Sequence, residues 1–276
     1  MQISALLRDG LELAVYRGGE TGPALVFQHG LCGGSGQIAE AMQGLGSQRW
    51  QGLECRGHGL SPLGDAVSIA CFADDVAAMI EAMPEFDRGP VVLGGISMGA
   101  AIATRLAVTR PDLVRALVLV RPAWVVDDAP ENMAPNAEVG MLLEMLPLDQ
   151  ARAFFAEGET ARRLEVAAPD NLASLKGFFN RRPQAETARL LTTISADGPG
   201  IAAEDLRALR IPALICGCAQ DAIHPMAHAQ ALADLIPWAR LVELPAKARD
   251  KAAHLAALAD AMTAFLKEID DAPPTP

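Results

Sequence analysis

Short apolar runs alternate with stretches of helical periodicity along most of this 276-residue chain. The runs predict strands at residues 11–16, 24–28, 50–53, 91–94, 116–120, 213–217 and 240–244, with 3–7 as a weaker first hairpin arm. Helical spacing falls between them at 72–83, 97–108, 226–235 and 253–269. The last of these repeats apolar residues at Leu255, Leu258, Met262, Phe265 and Leu266, close to the period of an α-helix. Apolar strands separated by helices predict an α/β fold, a mostly parallel twisted sheet with helices on both faces.

The rhythm breaks between Pro122 and about Pro199. No strand-like run appears there, only helix-like stretches at 139–146, 149–155, 159–166 and 172–179. Four of the eight phenylalanines (Phe154, Phe155, Phe178, Phe179) lie in this segment, with Met133, Met141 and Met145. Most must pack the segment onto the core, and some are expected to line what lies beneath. The chain therefore divides into a first core part (1–122), an inserted helical cap (123–200) and a second core part (201–276). Its tail, 270–276, is expected to be disordered.

A net charge of −11 and a pI near 4.9 argue against a basic face for nucleic acid or anionic membranes. The cap itself holds seven Lys/Arg against twelve Asp/Glu. No window of eighteen uninterrupted apolar residues occurs, and the first ten residues lack the shape of a signal peptide. Five scattered cysteines fit reduced thiols, so a cytoplasmic protein is expected. Cys216 and Cys218 have no second pair at a zinc spacing, and no metal is expected. The glycine-rich run 30–36 is followed by no lysine and does not read G-x-G-x-x-G, so no nucleotide cofactor is expected either.

The chemistry concentrates at residues 91–99, Val-Val-Leu-Gly-Gly-Ile-Ser-Met-Gly, followed by an alanine-rich helix. A serine flanked by glycines in G-x-S-x-G fits a strand-to-helix turn too sharp for larger neighbours, with its hydroxyl exposed above a helix N-terminus. His29-Gly30 ends a strand, and residues 54–61 read Glu-Cys-Arg-Gly-His-Gly-Leu-Ser. Asp221 follows the strand at 213–217, and His254 follows the last strand. In this order the chain resembles the α/β-hydrolases over nearly its whole length, with Glu54 where their D-x-x-G-H-G-x-S turn has Asp. The resemblance implies a lid-bearing, cofactor-free serine hydrolase of the esterase or lactonase type.

A serine needs a base to take its proton and a carboxylate to orient that base. In this fold the three follow the order Ser, acid, His, which Ser97, Asp221 and His254 obey. His29 and His58 belong to turn motifs that are usually structural. His228 falls inside a predicted helix, and His224, three residues after the acid, is placed at the pocket mouth. His254 departs from the family in lacking a preceding glycine: Ala252-Ala253 follow the charged stretch 247–251. Asp127 or Asp128, after the strand at 116–120, is the alternative placement for the acid. The backbone N–H groups of Leu31 and Met98 are expected to form the oxyanion hole, with Cys32 replacing Leu31 if the turn is offset by one. Arg121 ends a strand where open α/β sheets bind ligands, so it reads either as a fork for a substrate carboxylate or as a salt bridge to acids such as Asp127 or Asp128. Trp124, three residues on, is a second candidate substrate contact. The expected reaction is hydrolysis of a small ester, lactone or thioester. Carbon–carbon bond hydrolysis, perhydrolysis and non-catalytic ligand binding are the alternatives that the same scaffold permits.

Overall fold

The computed structural model describes residues 1–83 and 89–271. An antiparallel hairpin, β1 (Gln2–Arg8) and β2 (Leu11–Gly18), precedes β3 (Thr21–Gln28), α1 (Ser35–Met42) and β4 (Gln48–Leu53). Then come α2 (Ile69–Glu81), β5 (Val91–Ile96), α3 (Met98–Thr109) and β6 (Val114–Val120). Five inserted helices follow: α4 (Ala134–Met145), α5 (Leu148–Glu157), α6 (Glu159–Ala167), α7 (Pro169–Phe178) and α8 (Gln184–Ser195). The chain closes with α9 (Ala203–Ala208), β7 (Ala213–Cys218), α10 (Met226–Leu235), β8 (Ala239–Leu244) and α11 (Lys251–Asp271). The eight strands form one sheet in the order β1-β2-β4-β3-β5-β6-β7-β8. It is parallel from β4 through β8, and β2 runs antiparallel to both of its neighbours.

Every predicted strand is present, extended at its ends by one to three residues. The central strands read as continuous apolar runs because both faces are covered. Along β6, Leu117 and Leu119 enter one core, while Ala116, Val118 and Val120 enter the other. The first core receives α2, α3, α10 and the inserted helices; the second receives α1 and α11. Helix α11 buries Leu258, Met262, Phe265, Leu266 and Ile269 on one stripe. Each contributes at most roughly 1.5–3 kcal/mol of transfer energy, which fixes the helix on the sheet and His254 in its first turns. It also carries Asp270 and Asp271, so the expected disordered tail begins no earlier than residue 272, and 272–276 lie outside the described residues. No helix among the described residues is long and apolar enough to cross a membrane.

Sequence periodicity finds four of the five inserted helices and misses α8. That helix buries Thr187, Ala188, Leu190, Leu191, Ile194 and Ser195, a stripe of mostly small or polar side chains with weak apolar signal. Small residues let it approach closely: a Cβ on Gly140 of α4 would sit 2.9 Å from Leu191 Cβ. The two ends of the insertion are tied by the Trp124 indole, which donates to the Asp197 carbonyl at 2.8 Å.

Candidate active site

One residue, Ser97, separates the end of β5 from the start of α3. Its backbone sits at φ 57°, ψ −113°, where a side chain costs of order 1–3 kcal/mol. The flanking glycines are required sterically. A Cβ on Gly95 would lie 2.4 Å from the Gly99 carbonyl carbon, and one on Gly99 would lie 2.3 Å from the Gln28 oxygen. Neighbouring crossovers are strained as well: Cys32, Arg121 and Gln220, just past β3, β6 and β7, all have positive φ. Four adjacent parallel strands thus carry their non-glycine outliers at the carboxyl edge. Strain concentrated at one edge marks a functional crevice.

The loop after β3 supplies the second wall. Gly30 N donates to Gln37 Oε1 at 2.7 Å, and Cys32 N donates to His58 Nε2 at 2.9 Å. The Cys32 carbonyl accepts from the Arg181 guanidinium at 2.6 Å. Cys32 N is therefore already committed to His58. Among the described residues neither Leu31 N nor Met98 N donates to any protein group. His29 and His58 hold this loop as neutral rings: His29 Nε2 accepts from Cys55 N at 3.0 Å, with Nδ1 on the Gly30 carbonyl. Burial drives the His29 pKa down to about 4 and that of His58 well below its ordinary value. Glu54 fits the family's Asp position by reaching further, accepting from Ser35 N at 2.9 Å and Leu60 N at 2.8 Å. Burial pushes the Cys32 thiol up to about 12, so it is no competing nucleophile.

Asp221 lies past β7 and is saturated with donors. Oδ1 accepts from Asn171 Nδ2 (3.0 Å) and His224 N (2.9 Å), while Oδ2 accepts from the Arg121 Nε and a terminal nitrogen, each at 2.6 Å. The His224 ring completes the set, its Nδ1 lying 2.9 and 3.0 Å from the two oxygens. Burial alone would raise this carboxyl. The His224 ring and the Arg121 guanidinium outweigh it and hold the group well below the usual carboxylate range. Burial lowers His224, Asp221 opposes that, and Arg121 and Lys247 reinforce it, for a net downward shift.

His254 is not joined to this cluster. It is buried in the first turns of α11, its N–H bonded to Asp250 O and its Nδ1 lying 2.8 Å from the Pro245 carbonyl. Of the three residues expected to act in series, none is hydrogen-bonded to another among the described residues, and the imidazole on Asp221 belongs to His224. The Ser97 hydroxyl makes no hydrogen bond to either ring among the described residues.

A cavity of about 170 Å³ opens above Ser97. Leu31, Cys32, Ser97, Arg121 and His224 line its floor, and Asn136, Asp170, Asn171, Leu175 and Phe178 of α4 and α7 close it from above. Lys247, from the loop after β8, stands at its side. A hollow of about 210 Å³ between Leu45, Gln48 and α11 holds neither serine nor histidine, so the chemistry belongs to the smaller space. Arg121 lines the cavity, but its fork is engaged by Asp221, with cap Asp170 at 3.9 Å, and neither Asp127 nor Asp128 pairs with it. Asp127 and Asp128 are exposed and lie off the cavity wall. Trp124 is 2 % exposed and likewise absent from the wall, its indole spent on Asp197.

Sequence reasoning passed over Asn171. Its amide oxygen accepts from Ala222 N (2.7 Å) and Ile223 N (3.3 Å) while its nitrogen donates to Asp221. Fifty residues separate it from the acid, and no local pattern announces it. His224 did carry a signal, the i,i+3 spacing from Asp221 in a turn.

A family model described as Serine aminopeptidase, S33 (Hydrolase_4) matches residues 19–243. A pimeloyl-[acyl-carrier protein] methyl ester esterase of Chromobacterium violaceum is 29 % identical over 233 residues, covering 81 % of this chain and 86 % of that one. The sn-1-specific diacylglycerol lipase ABHD11 of Mus musculus is 33 % identical over 147 residues, 49 % of this chain; the match spans 45 % of the lipase. A thermophilic esterase from Thermogutta terrifontis superimposes with a TM-score of 0.71 at 23 % identity, covering 98 % of both chains. The protein belongs to the α/β-hydrolase family and is a hydrolase of the serine type.

Proposed function

We propose that the protein hydrolyses a small ester, lactone or thioester through an acyl-enzyme on Ser97, without a cofactor. The observation that carries this reading is the strained Ser97 elbow beneath a small cavity, beside two uncommitted N–H groups. Attack of Oγ on a carbonyl would place the developing oxyanion between Leu31 N and Met98 N, where each donor is worth on the order of 3 kcal/mol in the transition state. Asp221 is the carboxylate that orients the base. A cavity of about 170 Å³ is below the usual range for drug-sized ligands and favours a short acyl group. The likeness to a methyl ester esterase over four-fifths of the chain supports a small alcohol leaving group.

The test is a fluorophosphonate followed by peptide mapping, run beside p-nitrophenyl esters of increasing length and a lactone panel. The label is expected on Ser97, with turnover falling as the acyl chain lengthens. Ser97→Ala should lose a factor near 10⁴–10⁶ in kcat with its melting temperature unchanged. A folded Ala variant keeping more than a tenth of the rate would remove Ser97 as nucleophile.

A further inference from the structure

We infer that Asn136 sets specificity, its amide oxygen accepting a hydrogen bond from a hydroxyl or amide N–H on the substrate, an assignment that rests on the acyl-enzyme reading above and narrows it to small polar esters. Asn136 lies in the first turn of α4 and lines the cavity over Ser97. It is 5 % exposed, and its Oδ1 is buried without a hydrogen bond from any described residue. A buried carbonyl that lacks a donor is costly, so such an atom in a cavity wall calls for a partner. The other buried polar atoms in this condition among the described residues belong to Gln28, Arg105, Arg115, Arg181 and Ser195, none of which lines the cavity. Its polar neighbours in the wall are already engaged. Asn171 and Arg121 are on Asp221, Gln37 accepts from Gly30 N, and Ser174 donates to the Asp170 carbonyl.

Nothing in α4 itself requires an amide at this position. Asparagine is a weaker helix former than leucine or methionine, and no side chain caps the start of this helix. The backbone that carries it is held from both sides. Just before α4, Asn132 Nδ2 donates to the Ala123 carbonyl at 2.9 Å and to the Ile223 carbonyl at 2.7 Å. One turn after Asn136, Gly140 brings α4 so close to α8 that a Cβ there would lie 2.8 Å from Thr192 Cγ2. The amide is thus presented from a fixed element, which lowers the ordering cost of binding. A cavity of about 170 Å³ holds little more than one short substrate, so the group that meets Asn136 stands a few bonds from the carbonyl that Ser97 attacks. An apolar substrate of the same shape would leave Oδ1 unpaired. A site of this kind rejects a substrate lacking the donor more sharply than an apolar pocket rejects a change of size.

The experiment uses matched pairs of esters that differ only in the donor, with kcat/KM normalised to each ester's rate in hydroxide. Methyl lactate against methyl isobutyrate tests a hydroxyl on the acyl side, and methyl N-acetylglycinate against methyl levulinate tests an N–H there. The pair 2-hydroxyethyl acetate and propyl acetate tests a hydroxyl on the alcohol side. In the wild type at least one pair should favour the donor by about tenfold or more, and that pair identifies the donor and its side. Asn136→Leu should reduce this preference by at least about tenfold, mainly through KM. Asn136→Ala serves the same purpose should the leucine variant fail to fold. Asn136→Asp keeps an acceptor and should hold the preference within about threefold, whatever happens to the absolute rates. A merely structural amide would change both members of a pair alike. No preference in any wild-type pair, a preference that survives in folded Asn136→Leu or Asn136→Ala, or one lost in folded Asn136→Asp would overturn the assignment. Fluorophosphonate labelling of the wild type separates the two readings: a labelled Ser97 with no donor preference leaves the acyl-enzyme standing, and an unlabelled Ser97 ends both.

Discussion

Arg121→Gln removes the guanidinium that lies 2.6 Å from Asp221 Oδ2 and 3.3 Å from His224 Nδ1. With charge centres about 4 Å apart and an effective dielectric near 20, the repulsion between Arg121 and a protonated His224 is roughly 4 kcal/mol. Rearrangement of Asp221 and entry of water will absorb part of it, and a rise in the His224 pKa is the expected result. The sign follows from the charge: a cation beside the ring disfavours imidazolium, and its loss favours it. The His224 ring should therefore titrate at higher pH than in the wild type. Arg121→Lys, which retains the charge, should leave its titration near the wild-type position. Breaking this buried pair should also lower stability by about 3–5 kcal/mol, measurable by urea unfolding. The assay is the pH dependence of the His224 imidazole proton resonance from pH 4 to 8. A titration that stays in place or moves to lower pH would refute the electrostatic account.

Two further outcomes test the acid and the buried histidines. Asp221→Asn should lose about 10⁴ in kcat, whereas exposed Asp127→Asn and Asp128→Asn together should change it little; the opposite ranking would move the acid to the loop after Val120. His29 titrates near 4 when folded against about 6.5 unfolded, so its contribution is present above pH 6.5 and is lost as pH falls toward 4. The loss is about 3 kcal/mol, His58 acts in the same direction, and an unchanged urea midpoint between pH 7 and pH 4 would contradict it.

What the sequence showed well was what repeats or what is sterically forced. Strands buried on both faces announce themselves as apolar runs, and the Gly95-Ile96-Ser97-Met98-Gly99 turn tolerates almost nothing else. Chain order places Asp221 after a strand end, and the structure has it just past β7. The contacts of the histidines were less legible. Order along the chain points to His254, whereas the imidazole in contact with Asp221 is that of His224, and such contacts depend on how a carboxylate's lone pairs are already filled. Arg121 shows the same limit: its place at a strand end was readable, whereas its engagement by Asp221 depends on residue 221 folding back across β7. Helix α8 was missed because close packing uses small and polar side chains that carry little apolar signal.

The Asn171 amide joins an inserted helix to the acid loop through three hydrogen bonds, two received from Ala222 and Ile223 and one given to Asp221. In many designs of this kind a cap is treated as an exchangeable part that selects substrates above a fixed machine. Here the two are not separable. A transplanted cap without an amide at this position would leave Asp221 Oδ1 short of a donor and the 222–223 backbone unanchored, so specificity and rate would change together. Laboratory recombination of this chain should move residues 169–178 and 221–224 as one inheritance unit.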